Sequence, residues 1–475
     1  MAVSIATTSG TSVTFTDEQL TQLGMQFRAP IIGPDDERYG AARGVENLAI
    51  DRRPGMIIRC TGAADVIDGV NLAREHGLLL AVRSGGHHVG GHGTVEGGLL
   101  LDLRDMNGVW IDPDAKSVRC QGGATWGQVD RETQQYGLAV PGGVVSTTGV
   151  GGLTLGGGIG WLHRKWGLAC DNLLSAQVVL ASGELVTASE DINPDLFWGI
   201  RGGGGNFGVV VDFTFRAHRF GPMISPAAVF HPAEAGAELL PQWRDLALAA
   251  GDEVTTRALF WSMPAAEGVP EPVQGKDVFI IGALYAGDQS QAVEALKPFR
   301  ALGTPLIDIS DHVPTYRAFQ AAFDQLSAGH HSYWKSTYVN QLSDDAIALV
   351  SGRAMSKPDP RVLVHIPIMG GATAAVGAEE TAFGDRSAPF MLSVDGNTWD
   401  PSNFGTVKDW VKSFIAEAQE LDGVGGAYLN FSGDDASEET VVHAQYGQNM
   451  KRLTEVKSTY DPDNLFRVNN NITPA

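Results

Sequence analysis

The stretch "MIIRCTGAADVIDGVNLAREHGLLLAVRSGGHH", Met56 to His88, decides the fold. "MIIRC" (56–60) is a short run of strand-forming residues. Thr61 then caps a helix whose apolar face is Val66, Ile67, Val70 and Ala73, and Gly77 ends it. "LLLAV" (78–82) follows as a buried strand. Strand, helix and strand make a β-α-β unit, and a glycine turn carrying two histidines lies just past its second strand. Ligands of α/β sheets bind at such carboxyl ends of strands.

Upstream, Thr16 with Gln19 forms a capping-box pattern for a first helix. Downstream, from 99 to 215, short apolar strands recur between glycine clusters. "TWGQVDRETQQYGL" (125–138) reads as a helix ended by Gly137, and 141–168 is too glycine-rich for one regular element. Residues 1–218 are therefore expected to form an α+β domain with two sheets. Past "FRAHRFGP" (215–222) the glycines thin out. Long strand candidates at 277–287 and 361–371 alternate with helix patterns such as 291–302. That predicts a second domain, 219–446, built on one large antiparallel sheet with helices on one face. A last helix over 438–459 stops before Asp461-Pro462, and the tail 447–475 is expected to pack back on the first domain.

The chain has 475 residues, which at roughly 150 residues per domain suggests two or three domains. A formal net charge of −21 repels phosphate backbones, so nucleic acid is not an expected partner. The three cysteines, Cys60, Cys120 and Cys170, are widely spaced and fit a reducing compartment. The first twenty residues lack a secretory pattern and no apolar run reaches the ~18 residues of a membrane span, so a cytoplasmic protein is expected. Nothing in the pattern specifies an oligomeric state.

A metal site, a phosphate cradle and a point of covalent attachment compete for the histidine turn. A metal would use His87, His88 and His92, but adjacent residues on an extended segment face opposite ways, and no cysteine or carboxylate has ligand spacing; no metal is expected. No phosphate loop of the Walker type occurs. Gly203, Gly205 and Gly208 match G-x-G-x-x-G, but run into the strand-like "VVVDFTF" instead of a helix. What remains is "RSGGHH" together with "TTGVGGLTLGGGIG". They supply unobstructed amides, Arg83, and the hydroxyls of Ser84, Ser146, Thr147 and Thr148, a set suited to a dinucleotide pyrophosphate. Plain glycine turns without a ligand are the competing reading.

"VRSGGHH" (82–88), "STTGVGGLTLGGGIGWLHRKWGLACDNL" (146–173), "NPDLFWGIRGGGGNFGVV" (193–210), "YLNF" (428–431) and "YGQNMKRLTEVKSTYDPDNLFRVNNNI" (446–472) occur in that order. With these blocks the chain resembles the berberine-bridge-enzyme-like flavin oxidases, of the PCMH-type vanillyl-alcohol-oxidase superfamily. The resemblance runs from about residue 30 to the C-terminus. It implies a two-domain α+β fold: an FAD domain completed by the C-terminal tail, and a substrate domain between. It implies that His87 bonds covalently to the flavin. It also implies cofactor contacts from Arg83, Ser84, Gly85, Gly86 and His88, and from Ser146, Thr147 and Thr148. Further contacts would come from Gly149, Gly151, Gly152, Gly157, Gly158 and Gly160, with Val210, Asn469 and Asn471 beyond. Thr148 aligns with a position beside the oxygen-reactive flavin carbon.

Two departures from the family pattern stand out. A second flavin bond in many relatives comes from a cysteine four residues before the first glycine of "GxGG"; here that position is Val145. Cys170 lies in a different block and reads as a buried structural thiol. In several relatives a tyrosine closing a "YxNY" block is the base; here it is Phe431, which accepts no proton. Tyr428, at an odd offset in a strand, would face away from substrate. Base candidates are Tyr428, Tyr333, Lys335, Tyr338, His365 and Asp395, and Phe431, Trp261, Trp334 and Trp399 would suit an aromatic guest. The expected activity is hydride removal from an alcohol, phenolic or other natural product, with O2 reduced to H2O2. An oligosaccharide oxidase, a dehydrogenase using another acceptor, and a flavin-bearing binding protein are the alternatives.

Overall fold

The computed structural model describes residues 2–324, 329–433, 442 and 445–475. The expected 438–459 helix falls partly outside them; its described part is given below. The capping box at Thr16 is formed, opening α1 (Asp17–Gln26). The first sheet has β1 (Ile31–Ile32), β2 (Met56–Arg59), β3 (Leu80–Arg83) and β4 (Leu99–Asp102) in the order β1-β2-β4-β3. β4 runs parallel to both β2 and β3, the arrangement that a β-α-β crossover imposes. The crossover is α2 (Ala63–His76), ended by Gly77 in the left-handed region at φ 60. Its cap differs from expectation. Gly62 is the N-cap, while Thr61 donates from its amide and its hydroxyl to the Asp65 carboxylate, each at 2.8 Å. A carboxylate within the first turn does here what a capping hydroxyl does elsewhere.

The second sheet is fully antiparallel: β5 (Val109–Asp112), β6 (Ser117–Gln121), β7 (Leu173–Val179), β8 (Leu185–Ser189) and β9 (Val209–Arg216), in the order β8-β7-β9-β6-β5. Strand β9 closely follows the four glycines at 202–205, so the G-x-G-x-x-G pattern meets no helix N-terminus. Thr125 caps α3 (Trp126–Thr133), and Gly137 closes the following turn at φ 62.

The third sheet carries eight strands: β10 (Pro226–Pro232), β11 (Val254–Ser262), β12 (Asp277–Tyr285), β13 (Ile307–Asp308), β14 (His331–Val339), β15 (Leu363–Pro367), β16 (Phe390–Thr398) and β17 (Val424–Gly425). Their order is β13-β10-β12-β11-β15-β16-β14-β17, and each pairing is antiparallel. One face is covered by α4 (Gly236–Ala249), α5 (Ala292–Arg300), α6 (Asp344–Ala354) and α7 (Phe404–Gln419). Trp243, Phe299, Val350 and Phe414 from these helices pack on Phe260, Phe279, Val364 and Val394. Each such fully buried side chain contributes roughly 1.5–3 kcal/mol. The strand period of two sends the intervening residues to the opposite face, toward the first two sheets.

The tail returns to the N-terminal region. From α8 (Met450–Tyr460), Leu453 and Val456 join the core of the second sheet, and Leu465 and Phe466 that of the first. Between them Lys457 and Asp461 are wholly buried at 2.6 Å. Among the described residues no helix is long and apolar enough to cross a membrane.

Candidate functional site

A cavity of about 290 Å³ lies where the three sheets meet, and both glycine stretches border it. Ser84, Gly85 and Gly86 leave the carboxyl end of β3, and Thr148, Gly149 and Gly151 lie against them. The two turns touch backbone to backbone: a Cβ on Gly149 would stand 2.2 Å from the amide nitrogen of Gly85. Only glycine permits that approach. Gly151 N–H donates to Ser84 Oγ at 3.3 Å, tying the turns together.

His87 lines the cavity. Burial lowers its pKa to about 4, opposed by a hydrogen bond to the Thr147 backbone and by the Asp324 charge. The ring is therefore neutral near pH 7, with one nitrogen engaged and a lone pair on the other. His88 lines the same cavity, stacked on His92 with ring centroids 4.0 Å apart. The two histidines, expected to diverge, both border this cavity just after the turn at Gly86, φ 76. Among the described residues no cluster of three His, Cys, Asp or Glu could hold a metal ion.

Several expected cofactor contacts lie off the cavity. Arg83 is buried beneath the turn, where its guanidinium donates to Asp102 at 2.7 Å, to the Gly44 carbonyl at 3.0 Å and to the Ala42 carbonyl. Commitment to Asp102 and to backbone makes it a clamp on the strand ends and takes it away from any phosphate. Ser146 spends its amide and hydroxyl on Asp324, each at 2.7 Å, and Thr147 supplies backbone to His87. Gly157, Gly158 and Gly160 serve packing: their Cβ positions run into Phe383, Ala169 and the Gly142 carbonyl. Asn471 borders an adjoining cleft with Arg52 and Arg467.

The remaining wall is open. Gly152 and Gly205 line the cavity, and a Cβ on either would meet no protein atom within 4 Å, so their missing side chains leave room for a ligand. Val210 and Asn469 also line it, as does Asn470, which sequence reasoning missed. The side-chain oxygens of Asn469 and Asn470 are buried without a partner. A glycine floor with orphaned amide oxygens at its rim fits a flat cofactor with polar edges, as FAD is. Val145 faces the cavity and offers no thiol. Cys170 is buried elsewhere, packed with Met369, Phe383 and Met391.

The far wall is the uncovered face of the third sheet. Of the six base candidates it brings two together: His365 Nε2 lies 3.3 Å from Asp395 Oδ2, and both line the cavity. Asp395 Oδ1 accepts from Ser393 Oγ at 2.6 Å, which fixes the carboxylate. His365 Nδ1 is buried with no hydrogen-bond partner. Tyr333 belongs to the helix-side core, beneath Lys408 and Lys412, and Lys335 shares its strand parity; both turn from the cavity. Tyr338 does not border the cavity, and burial raises its pKa.

Tyr428 does reach the cavity, together with Phe431, because Leu429–Phe431 is a 3-10 turn and not a strand. Their rings meet edge to face at 5.0 Å. The Tyr428 oxygen accepts from Gly158 N–H, Ile159 N–H and Asn430 Nδ2 at 3.1, 3.3 and 2.9 Å. Burial pushes its pKa up to about 12, against those bonds, and the bonds tie it to the glycine loop. Trp334 lines the cavity. Trp399 does not: it is 60% exposed, stacked on His330 and under Arg361. Sequence reasoning missed Trp161, Phe323 and Arg257, which also line the cavity. For Arg257 the signal was present: on a strand facing two ways, a charged residue between core positions marks the face that is not core.

A family profile described as "FAD binding domain" matches residues 54–189, and one described as "Berberine and berberine like" matches 427–473. An uncharacterized FAD-linked oxidoreductase of Bacillus subtilis is 30% identical over 94% of this chain and 96% of its own. The (R)-6-hydroxynicotine oxidase of Paenarthrobacter nicotinovorans is 30% identical, covering 95% and 98% of the two chains. The solved structure of 6-hydroxy-D-nicotine oxidase from Arthrobacter nicotinovorans superposes with a TM-score of 0.82 at 27% identity, over 94% of this chain and 98% of that one.

Proposed function

The chain belongs to the berberine-bridge-enzyme-like FAD-linked oxidoreductases, PCMH-type, and on that premise we propose that it is an oxidase whose FAD is held through His87. Residues 1–218 with 447–475 form the FAD unit, and 219–446 the substrate unit. One observation carries this reading: the neutral His87, the open glycine floor and the His365–Asp395 pair border one cavity. When bound, FAD supplies the hydride acceptor and passes the electrons to O2, giving H2O2.

The chain's own residues do the rest. Gly152 and Gly205 leave open space in the cavity, and Ser84, Thr148 and Asn469, which border the same cavity, would help to hold the cofactor. His87 offers a neutral imidazole nitrogen for a single attachment, since Val145 has no sulfur. His365 takes the proton of the substrate hydroxyl at Nδ1 as the carbon loses its hydride. Asp395, 3.3 Å from Nε2, stabilises the imidazolium that forms. Trp161, Phe323, Trp334 and Phe431 shape the guest site and exclude water, which supports an aromatic alcohol or phenolic over a sugar.

Aromatic alcohols and phenolics that bleach the flavin under anaerobic conditions test the assignment. Admitting air is expected to restore the oxidised spectrum within seconds, with one H2O2 per substrate consumed. Bleaching followed by slow recovery in air, with fast recovery from an added quinone, would make the protein a dehydrogenase instead. Absence of bleaching across the series would leave a flavin-bearing binding protein.

A further inference from the structure

Arg257 sits on the cavity face of β11 and is 3% exposed, yet none of the bonds expected of a buried guanidinium satisfies its Nε and Nη2. Its neighbour two residues on, Leu259, is the cross-strand partner of His365, so the guanidinium and the base belong to one patch. Trp161 lies under it, with the guanidinium carbon 5.1 Å from the ring centroid. Asp395 is the facing carboxylate, but its oxygens are taken up by Ser393 and His365, and among the described residues no ion pair to Arg257 lies within 4 Å. Burial lowers the Arg257 pKa to about 10, partly offset by Asp395, which leaves it charged near neutrality.

A desolvated cation with free donors is costly unless a ligand meets it. Nε–H and one Nη2–H lie on the same edge of a guanidinium and point in parallel, the spacing of two carboxylate oxygens. We propose that Arg257 is the specificity residue of this site and that it binds a carboxylate carried on an aryl substrate. This deepens the reading above and rests on it. The carboxylate docks on the Nε/Nη2 edge, the aryl ring lies against Trp161, and the reacting carbon bearing the hydroxyl is directed toward His365.

Calorimetric titration of the flavin-loaded enzyme with benzoate and with its uncharged isostere benzamide reads this without turnover. Benzoate is expected to bind at least about tenfold more tightly. In Arg257→Met the preference should vanish through loss of benzoate affinity alone, with benzamide binding retained; Arg257→Lys, a point charge without the fork, should keep only part of it. Equal binding of the two probes to the wild-type enzyme, no binding of either, or a preference that survives in Arg257→Met, overturns the proposal. Should the Met variant fail to fold, the wild-type comparison decides alone. A benzoate preference in a protein that no alcohol reduces would separate a correct anion site from a failed oxidase assignment.

Discussion

Substituting His365 with Gln is expected to lower kcat on any accepted alcohol by about 10²–10⁴-fold, the range of general base catalysis. Glutamine preserves the volume and can still donate to Asp395, so the buried carboxylate is not stranded. It has no titratable nitrogen, which removes the base alone. The flavin spectrum and attachment should be unchanged, because His365 stands on the third sheet, across the cavity from the glycine turns. An unchanged kcat would transfer the role to substrate chemistry that needs only hydride loss. Asp395→Asn should give a smaller loss, since it disturbs the ring's orientation and the charge beside it but leaves a proton acceptor in place.

The largest stability effect is expected at Asp461→Ala. Asp461 Oδ2 takes a bond from Lys457 Nζ at 2.6 Å and one from Phe466 N–H at 2.9 Å, and Oδ1 takes one from Leu465 N–H at 2.7 Å. Lys457 also donates to the Asn206 and Phe466 carbonyls. Both side chains are fully buried. Removing the carboxylate leaves an ammonium in the interior, and breaking such a pair costs about 3–5 kcal/mol. The denaturant midpoint should fall accordingly. Lys457→Met with Asp461→Leu should recover part of the loss, since it removes both charges. The tail held by this pair carries Asn469 and Asn470 to the cavity, so Asp461→Ala should also load less FAD.

The β-α-β unit was legible because its signals are local: apolar spacing in α2, a left-handed glycine at 77, and a glycine turn where strands end. The helix-covered antiparallel sheet was legible from strand length and alternation. The cap of α2 was misread because Asp65, a carboxylate inside the helix, did the work expected of Thr61. The misplaced phosphate contacts Arg83 and Ser146 share one cause: composition identifies groups able to bind a phosphate, but only tertiary contact shows whether those groups are already spent. Arg83 is spent on Asp102 and Ser146 on Asp324. Tyr428 is misdirected by assuming extended chain where Leu429–Phe431 coils. His365 and Asp395 were visible as candidates, but their meeting spans two strands and no sequence pattern encodes it. Arg257 escaped because a single arginine in an apolar strand is informative only once the strand's two faces are assigned.

The central claim, FAD held through His87 alone, is tested most directly by the mass of the acid-denatured chain. The wild-type protein is expected to carry one FAD through denaturation, giving a yellow pellet and a mass equal to chain plus cofactor. His87→Ala should give a colourless pellet at the mass of the chain, and Cys170→Ala should match the wild type. A wild-type chain of unmodified mass, or colour kept in His87→Ala and lost in Cys170→Ala, would contradict the account.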